Sequence, residues 1–332
     1  MTAGGRAPAV AAILGPTASG KSALGLALAR RFDGEIVACD STAVYRGFDI
    51  GTDKVPMEEQ GGVPHHCVDI ADPAAEYTAA DYARDAMAAI RSIHARGRLP
   101  ILVGGTGLYY RALARGLFPG PGRDDRVRKR LDAIAARRGP ERLHRLLARI
   151  DPPSAARIQA RDRIRIVRAL EVYCQSGRTL TDHFADTRAP LAGWTILGFA
   201  VHPPWDAIVG RIARRVDAQF ARGIEDEVRA LLAQGVPPGA RPFTGYVYRR
   251  VLEVVRGERD RASARDLIIT GNRHYARRQL IWFRKEPNLV WIQRAGEDDN
   301  ARLEAERVID ARLGTASQPH PRGEHPTHAT DS

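Results

Sequence analysis

The sequence predicts an α/β fold: a P-loop NTPase-like parallel sheet core with an inserted all-helical domain. Three observations carry this. Short apolar segments alternate with helical patterns through the first third of the chain, and a glycine-rich phosphate motif stands at the first strand-to-helix turn. A long basic stretch with no strand pattern then interrupts the alternation. The 332 residues, 44% hydrophobic and 27% charged, suit one large or two modest globular domains. That balance excludes collagen-like, disulfide-scaffold and wholly disordered classes. No apolar run reaches the ~18–20 residues of a membrane span.

Ala9–Leu14 is apolar and bounded by Pro8 and Gly15, so it reads as a buried parallel strand and not as a signal peptide. Residues 23–31 follow as a helix. Residues 35–39 form a second apolar strand ending at Asp40. Residues 77–96 are Ala-rich without Pro or Gly and predict a helix, and residues 99–103 a third strand closed by Gly104-Gly105. After about Phe118 the pattern changes to helices at 123–139, 141–150 and 154–176. Thr195–Val201 is another strand, stopped by Pro203-Pro204, with helical patterns at 208–222, 225–234 and 262–283. The expected organisation is a core at 1–118, a basic helical insertion at 119–193, and the rest of the core with C-terminal helices at 194–315. Residues 316–332, almost devoid of apolar side chains, are expected to form a disordered tail.

Charge is unevenly distributed. The chain carries 51 basic and 39 acidic residues, a net +12. Residues 123–168 hold 15 of the basic and 6 of the acidic ones, a local +9, which is the footprint of a phosphate-rich partner such as nucleic acid or, alternatively, of a solvated helical surface. Cys39, Cys67 and Cys174 are too few and too scattered for a disulfide framework or a zinc site, and a cytoplasmic location follows as the default. His65 and His66 are adjacent and lack a Cys or Glu partner at ligand spacing, which favours a structural or substrate-lining role over metal binding.

Gly15-Pro16-Thr17-Ala18-Ser19-Gly20-Lys21-Ser22 matches G-x-x-x-x-G-K-[ST] at every position, between a strand and a helix. The amides of Thr17–Ser22 and the helix N-terminus suit a diphosphate or triphosphate. Lys21 adds a point charge, and the Ser22 hydroxyl can ligate Mg²⁺. Asp40, at the end of the second strand, sits where such sheets bind ligands. Three roles are open to it: general base, Mg²⁺ ligand or N-cap. The third strand ends in glycine, so the sheet offers no other evident metal acid, which weakens an ordinary ATPase reading.

Further segments then align. They are Asp40-Ser41-Thr42-Ala43-Val44-Tyr45-Arg46-Gly47, Asp49-Ile50-Gly51-Thr52-Asp53-Lys54, Pro64-His65-His66 and Gly104-Gly105-Thr106-Gly107-Leu108-Tyr109. Arg168-Ala169-Leu170-Glu171-Val172 follows in the insertion, and Arg273, Tyr275, Arg278-Gln279 and Trp282-Phe283-Arg284 come near the end. In this order and spacing, over residues 10–294, the chain closely resembles the bacterial tRNA dimethylallyltransferases, or tRNA isopentenyltransferases.

The resemblance implies transfer of a dimethylallyl group from dimethylallyl diphosphate to the exocyclic N6 amine of the tRNA adenosine just 3′ of the anticodon. The phosphate loop would hold the diphosphate leaving group with Mg²⁺, and the basic insertion would grip the anticodon stem-loop. Asp40 takes the general-base role, with Thr106 and Lys21 completing the catalytic set; an ST-turn is the plain alternative for Thr106. Arg211 and Arg215, at i and i+4 on one helix face, are placed near the diphosphate. The tRNA contacts implied are Asp40, Ser41, Thr42, Ala43, Thr106, Arg128, Ile164, Arg165, Ile166, Val167, Arg168, Gly245, Tyr246, Arg273, Arg277 and Arg278. The target base is expected to be flipped into a channel. The chain departs from the family pattern at Ala43, Arg161-Asp162-Arg163, Tyr248 and Asn272, all expected on the RNA side or the periphery. A monomer is the expected state. The competing readings are an adenylate isopentenyltransferase acting on free AMP, ADP or ATP, a small-molecule P-loop kinase, and an RNA-binding module with a relic phosphate loop.

Overall fold

The structure, a computed structural model, describes residues 7–314; the expected tail at 316–332 lies outside them. Six strands form one parallel sheet: β1 (Ala9–Leu14), β2 (Gly34–Cys39), β3 (His65–His66), β4 (Leu99–Gly104), β5 (Thr195–Val201) and β6 (Leu289–Ile292), in the order β3-β2-β4-β1-β5-β6. β1 is central, with Leu14 level with Gly104 of β4 and Ala200 of β5. Cys39 of β2 is also level with Gly104. The loops after β1, β2 and β4 therefore leave the same edge side by side. That is where parallel sheets bind ligands.

The helices are α1 (Lys21–Arg31), α2 (Met57–Gln60), α3 (Ala79–Ala95), α4 (Gly107–Ala114), α5 (Asp125–Arg138), α6 (Pro140–Ile150), α7 (Pro152–Arg157), α8 (Arg163–Ser176), α9 (Leu180–Ala185), α10 (Trp205–Ala221), α11 (Ile224–Ala233), α12 (Tyr246–Val255), α13 (Arg261–Phe283) and α14 (Asp299–Leu313). Alternation along each strand sends Val10, Ala12 and Leu14 into one core and Ala11 and Ile13 into the other. The first core is closed by α3, α4 and α10–α13. The second is closed by α1 and α14 through Leu24, Leu28, Ala305 and Ile309. Helices on both faces are thus found as expected. None of the described helices is long and apolar enough to cross a membrane.

α5–α9 have their own core, built on Leu131, Leu143, Leu147, Ile166, Leu170 and Val172. Phe118 packs with this core, whereas Leu191 lies in the main one and its amide bonds Leu113 O at 3.2 Å. Residues 154–176, expected as one helix, break in two. The Asp162 carboxylate caps a new N-terminus by accepting the Arg165 amide at 3.2 Å. α5 is capped likewise by Asp124, and α3 by a Thr78–Asp81 capping box.

Candidate active site

The phosphate loop joins β1 to α1. Ala18 (φ 62) and Gly20 (φ 89) adopt left-handed backbone, which turns the loop about the helix N-terminus. A side chain on Gly20 would also strike the Glu297 carboxylate. Lys21 reaches back to Pro16 O at 3.3 Å. Burial, with Arg215 nearby, lowers the Lys21 ammonium to about 8. Ser22 is exposed on the first helical turn. The expected set of phosphate-binding amides needs correction: the Thr17 amide donates to Gln279 Oε1 at 2.8 Å and the Ser19 amide to Pro16 O at 3.3 Å.

Arg211 and Arg215 share one face of α10, as their spacing predicts, and both meet this loop. Arg211 Nε donates to Ala18 O at 2.8 Å, and its other edge pairs with Glu297. Arg215 donates to Thr17 Oγ1 at 2.8 Å, and its Nε pairs with Asp53 at 2.9 Å. Asp53 is mostly buried, which pushes its carboxyl up against the opposing pull of Arg215.

Asp40 leaves the end of β2 with one oxygen fixed. Its Oδ1 accepts the Thr42 amide at 2.8 Å, the Thr42 hydroxyl at 2.6 Å and the Ala43 amide at 3.3 Å. No partner is found for Oδ2 among the described residues. Thr106 Oγ1 accepts the Ser41 amide at 3.0 Å and so ties the β4 loop to the Asp40 loop. Tyr275 of α13 lies against both; burial and then Asp40 raise its hydroxyl well above the usual range.

Two cavities, 290 and 140 Å³, meet here and share Thr17, Asp40, Thr52, Asp53, Arg215 and Tyr275. The smaller is lined by Lys21, Ser22 and His65. His66 instead bonds buried Glu35 at 2.6 Å. The larger opens past Arg241, Gly245, Tyr246 and Asn272. Arg278 lies over the Tyr246 ring at 5.4 Å and the Tyr275 ring at 5.7 Å, making a stacking platform at that mouth. Arg277 lies over Trp205 at 4.9 Å. Arg273 is half-buried, with no partner for its Nε among the described residues. Tyr248 is not peripheral: it is buried at 2% exposure, accepts the Gly51 amide at 2.9 Å and donates to Glu227 at 2.6 Å.

No cluster of three or more His, Cys, Asp or Glu is placed to hold a metal among the described residues. Mg²⁺ needs no such cage when substrate phosphates and water complete its shell. The Ser22 hydroxyl and the Asp40 carboxylate, lining one cavity, fit that limited donor set.

The insertion revises several expectations. Ile166 and Val167 are 0% and 5% exposed; their side chains belong to its core and cannot face RNA. Arg128 and Arg168 are committed to fully buried Glu171, each at 2.8 Å. Ile164 (77% exposed) and Arg165 do lie outside. Sequence reading missed a 340 Å³ cleft between α5 and α6, lined by Arg137, Arg138, Arg142, Arg145 and Arg149. All five are exposed, and none makes an ion pair among the described residues.

A phosphate loop with Arg215 beside it, facing a fixed carboxylate across joined cavities, marks a P-loop group-transfer enzyme. Residues 43–286 match the model of the family described as IPP transferase. The chain is 46% identical over 303 residues, 91% of its length and 98% of the relative's, to the tRNA dimethylallyltransferase of Solibacter usitatus. The full-length tRNA isopentenylpyrophosphate transferase of Bacillus halodurans superposes with a TM-score of 0.68 at 35% identity, covering 92% of this chain and 97% of that one. A eukaryotic dimethylallyltransferase acting on tRNA superposes at 0.76 with 26% identity, covering 95% and 82%. The chain belongs to the IPP transferase family and is a prenyl-transferring enzyme.

Proposed function

We propose that this chain transfers the dimethylallyl group of dimethylallyl diphosphate to the N6 amine of the tRNA adenosine 3′ to the anticodon, position 37, and releases diphosphate. The observation that carries the reading is the meeting of the two cavities at Asp40, one floored by the phosphate loop and the other opening past Arg278 and Tyr246. The first suits the diphosphate and the second a flipped base.

Lys21, Arg215 and the unengaged phosphate-loop amides stabilise the charge that grows on the diphosphate as the C1–O bond breaks. The amine nitrogen forms the new bond to C1, and its proton passes to the free oxygen of Asp40. Thr106 holds the Asp40 loop in register for that transfer. Mg²⁺, held by the Ser22 hydroxyl with substrate phosphate and water, would add positive charge against the leaving group.

The RNA surface is best supported at the five-arginine cleft, at Arg165 and Ile164, and at the Tyr246–Arg278 platform. A free-nucleotide acceptor gives the cleft no purpose. Incubation of the protein with dimethylallyl diphosphate, Mg²⁺ and unmodified tRNA, followed by ribonuclease digestion and oligonucleotide mass mapping, is expected to find dimethylallyl-adenosine at that single position. Modification elsewhere, or none, would contradict the reading.

A further inference from the structure

Gln279 of α13 is 5% exposed, and its carboxamide spans two loops that serve different halves of the reaction. Oε1 accepts the Thr17 amide at 2.8 Å, and Nε2 donates to Gly105 O at 2.9 Å. Thr17 opens the phosphate loop, and its hydroxyl also holds Arg215. Gly105 precedes Thr106, which holds the Asp40 loop. A buried amide with both ends taken up by main chain is costly to misalign, because each displaced group would lose its partner away from water. Loop and side chain are also fitted sterically, since a β-carbon on Gly105 would collide with Gln279 Nε2 and come within 3.1 Å of Gly15 O, so that it would disturb the same loop separation.

We propose that Gln279 is a positioning residue that sets the separation between the phosphate loop, which holds the leaving group, and the Asp40–Thr106 loops, which orient the attacking amine. The inference rests on the prenyl-transfer reading above. Leaving oxygen and attacking nitrogen must stand on opposite sides of one carbon, so the distance between these loops decides how often bound substrates reach attack geometry. Gln279 borders the smaller cavity, but with both polar ends spent on main chain it acts through the loops. Its imprint should therefore fall on turnover and leave substrate affinity alone.

The test uses the full chain in steady-state transfer to unmodified tRNA, with each substrate varied in turn. Gln279→Met keeps the length of the side chain and removes both hydrogen bonds. Gly105→Ala dislodges the same bracket from its other end. Each is expected to lower kcat by about 30–100-fold with both KM values within about threefold, the scale of a misplacement near 1 Å. The double variant should be no slower than the worse single, because both changes undo one interaction. Losses that multiply, a kcat within threefold of wild type, or a raised KM for the allylic diphosphate at unchanged kcat would each overturn the proposal. Thermal melting identifies a variant that fails to fold; should Gln279→Met fail, Gly105→Ala alone decides through its kcat and KM split. Wild-type protein that transfers nothing to tRNA would contradict the reading of function instead, before any variant is compared.

Discussion

Replacing Arg137, Arg142 and Arg145 of the insertion cleft by glutamine should leave the chain folded and flatten the salt dependence of its RNA binding. The three are exposed and unpaired among the described residues, so their loss should change stability by no more than about 0.5 kcal/mol. Each phosphate neutralised contributes about −0.9 to the slope of log affinity against log salt on duplex RNA or DNA, so three contacts account for roughly −2.7. Between ~50 and ~200 mM salt, wild type should then lose about 40-fold more affinity than the variant. Fluorescence anisotropy with labelled unmodified tRNA over that range measures both slopes. kcat at saturating tRNA should not change, because the cleft lies toward the far end of α5. That is about 18 Å along the helix axis from its N-terminus, near where the chain leaves the core. Equal slopes for the two proteins, with or without a uniform loss of affinity, would refute the assignment of the cleft to phosphate contacts.

Asp40→Ala should nearly abolish transfer while tRNA affinity stays within several-fold; near-normal turnover would remove Asp40 from the base role. On the proposed reading Lys21 would bind the diphosphate as the cation, and burial with Arg215 nearby lowers its pKa to about 8 in the ligand-free chain. Affinity for dimethylallyl diphosphate should therefore be full below that pH and fall as pH rises through it, by up to about tenfold per unit. The fall should vanish in Lys21→Met, and an unchanged inflection there would assign it to another group. Glu171→Ala leaves two arginines and the Asp124 amide without their buried acceptor, and should cost the insertion about 3–5 kcal/mol. Burial raises the Glu171 carboxyl, but the hydrogen bonds of Arg128 and Arg168 more than offset that and hold it below the usual range. Its contribution is therefore present above the ordinary carboxylate pKa and lost as pH falls through the depressed one, which calorimetry of the insertion's transition would detect.

The parts legible in sequence were those with a period or a motif. Ala9–Leu14, Thr195–Val201 and the phosphate loop could be placed because an apolar run or fixed glycines mark them. The strand His65–His66 is two residues long, too short for any alternation, and Leu289–Ile292 is a four-residue edge strand. α12 and α14 also went unread, although the moderate apolar spacing of the former and the capping Asp298 of the latter were available signals. Within the site, Asp40 and Arg215 line the same two cavities, Thr106 is tied to the Asp40 loop through Ser41, and Arg211 meets the phosphate loop outside those cavities. Gln279 stood in a recognised motif, but its use depends on two carbonyl and amide groups 174 and 262 residues away, which no local pattern encodes. Ile166 and Val167 mark the opposite error: a motif position was taken for a surface one, when helix periodicity turns both into the insertion's core. The five-arginine cleft was hidden by the general abundance of arginine, and the ion pairs, above all those of Arg128 and Arg168 with buried Glu171, separate structural cations from free ones.

The central claim is that the joined cavities serve an allylic diphosphate and an RNA base. The most direct test offers radiolabelled dimethylallyl diphosphate and Mg²⁺ to the purified protein with unmodified tRNA in one reaction and AMP in another. Label on tRNA and none on AMP is the predicted result. Label on AMP, or ATP consumed with no prenyl transfer, would contradict the account and return the free-nucleotide or kinase reading to first place.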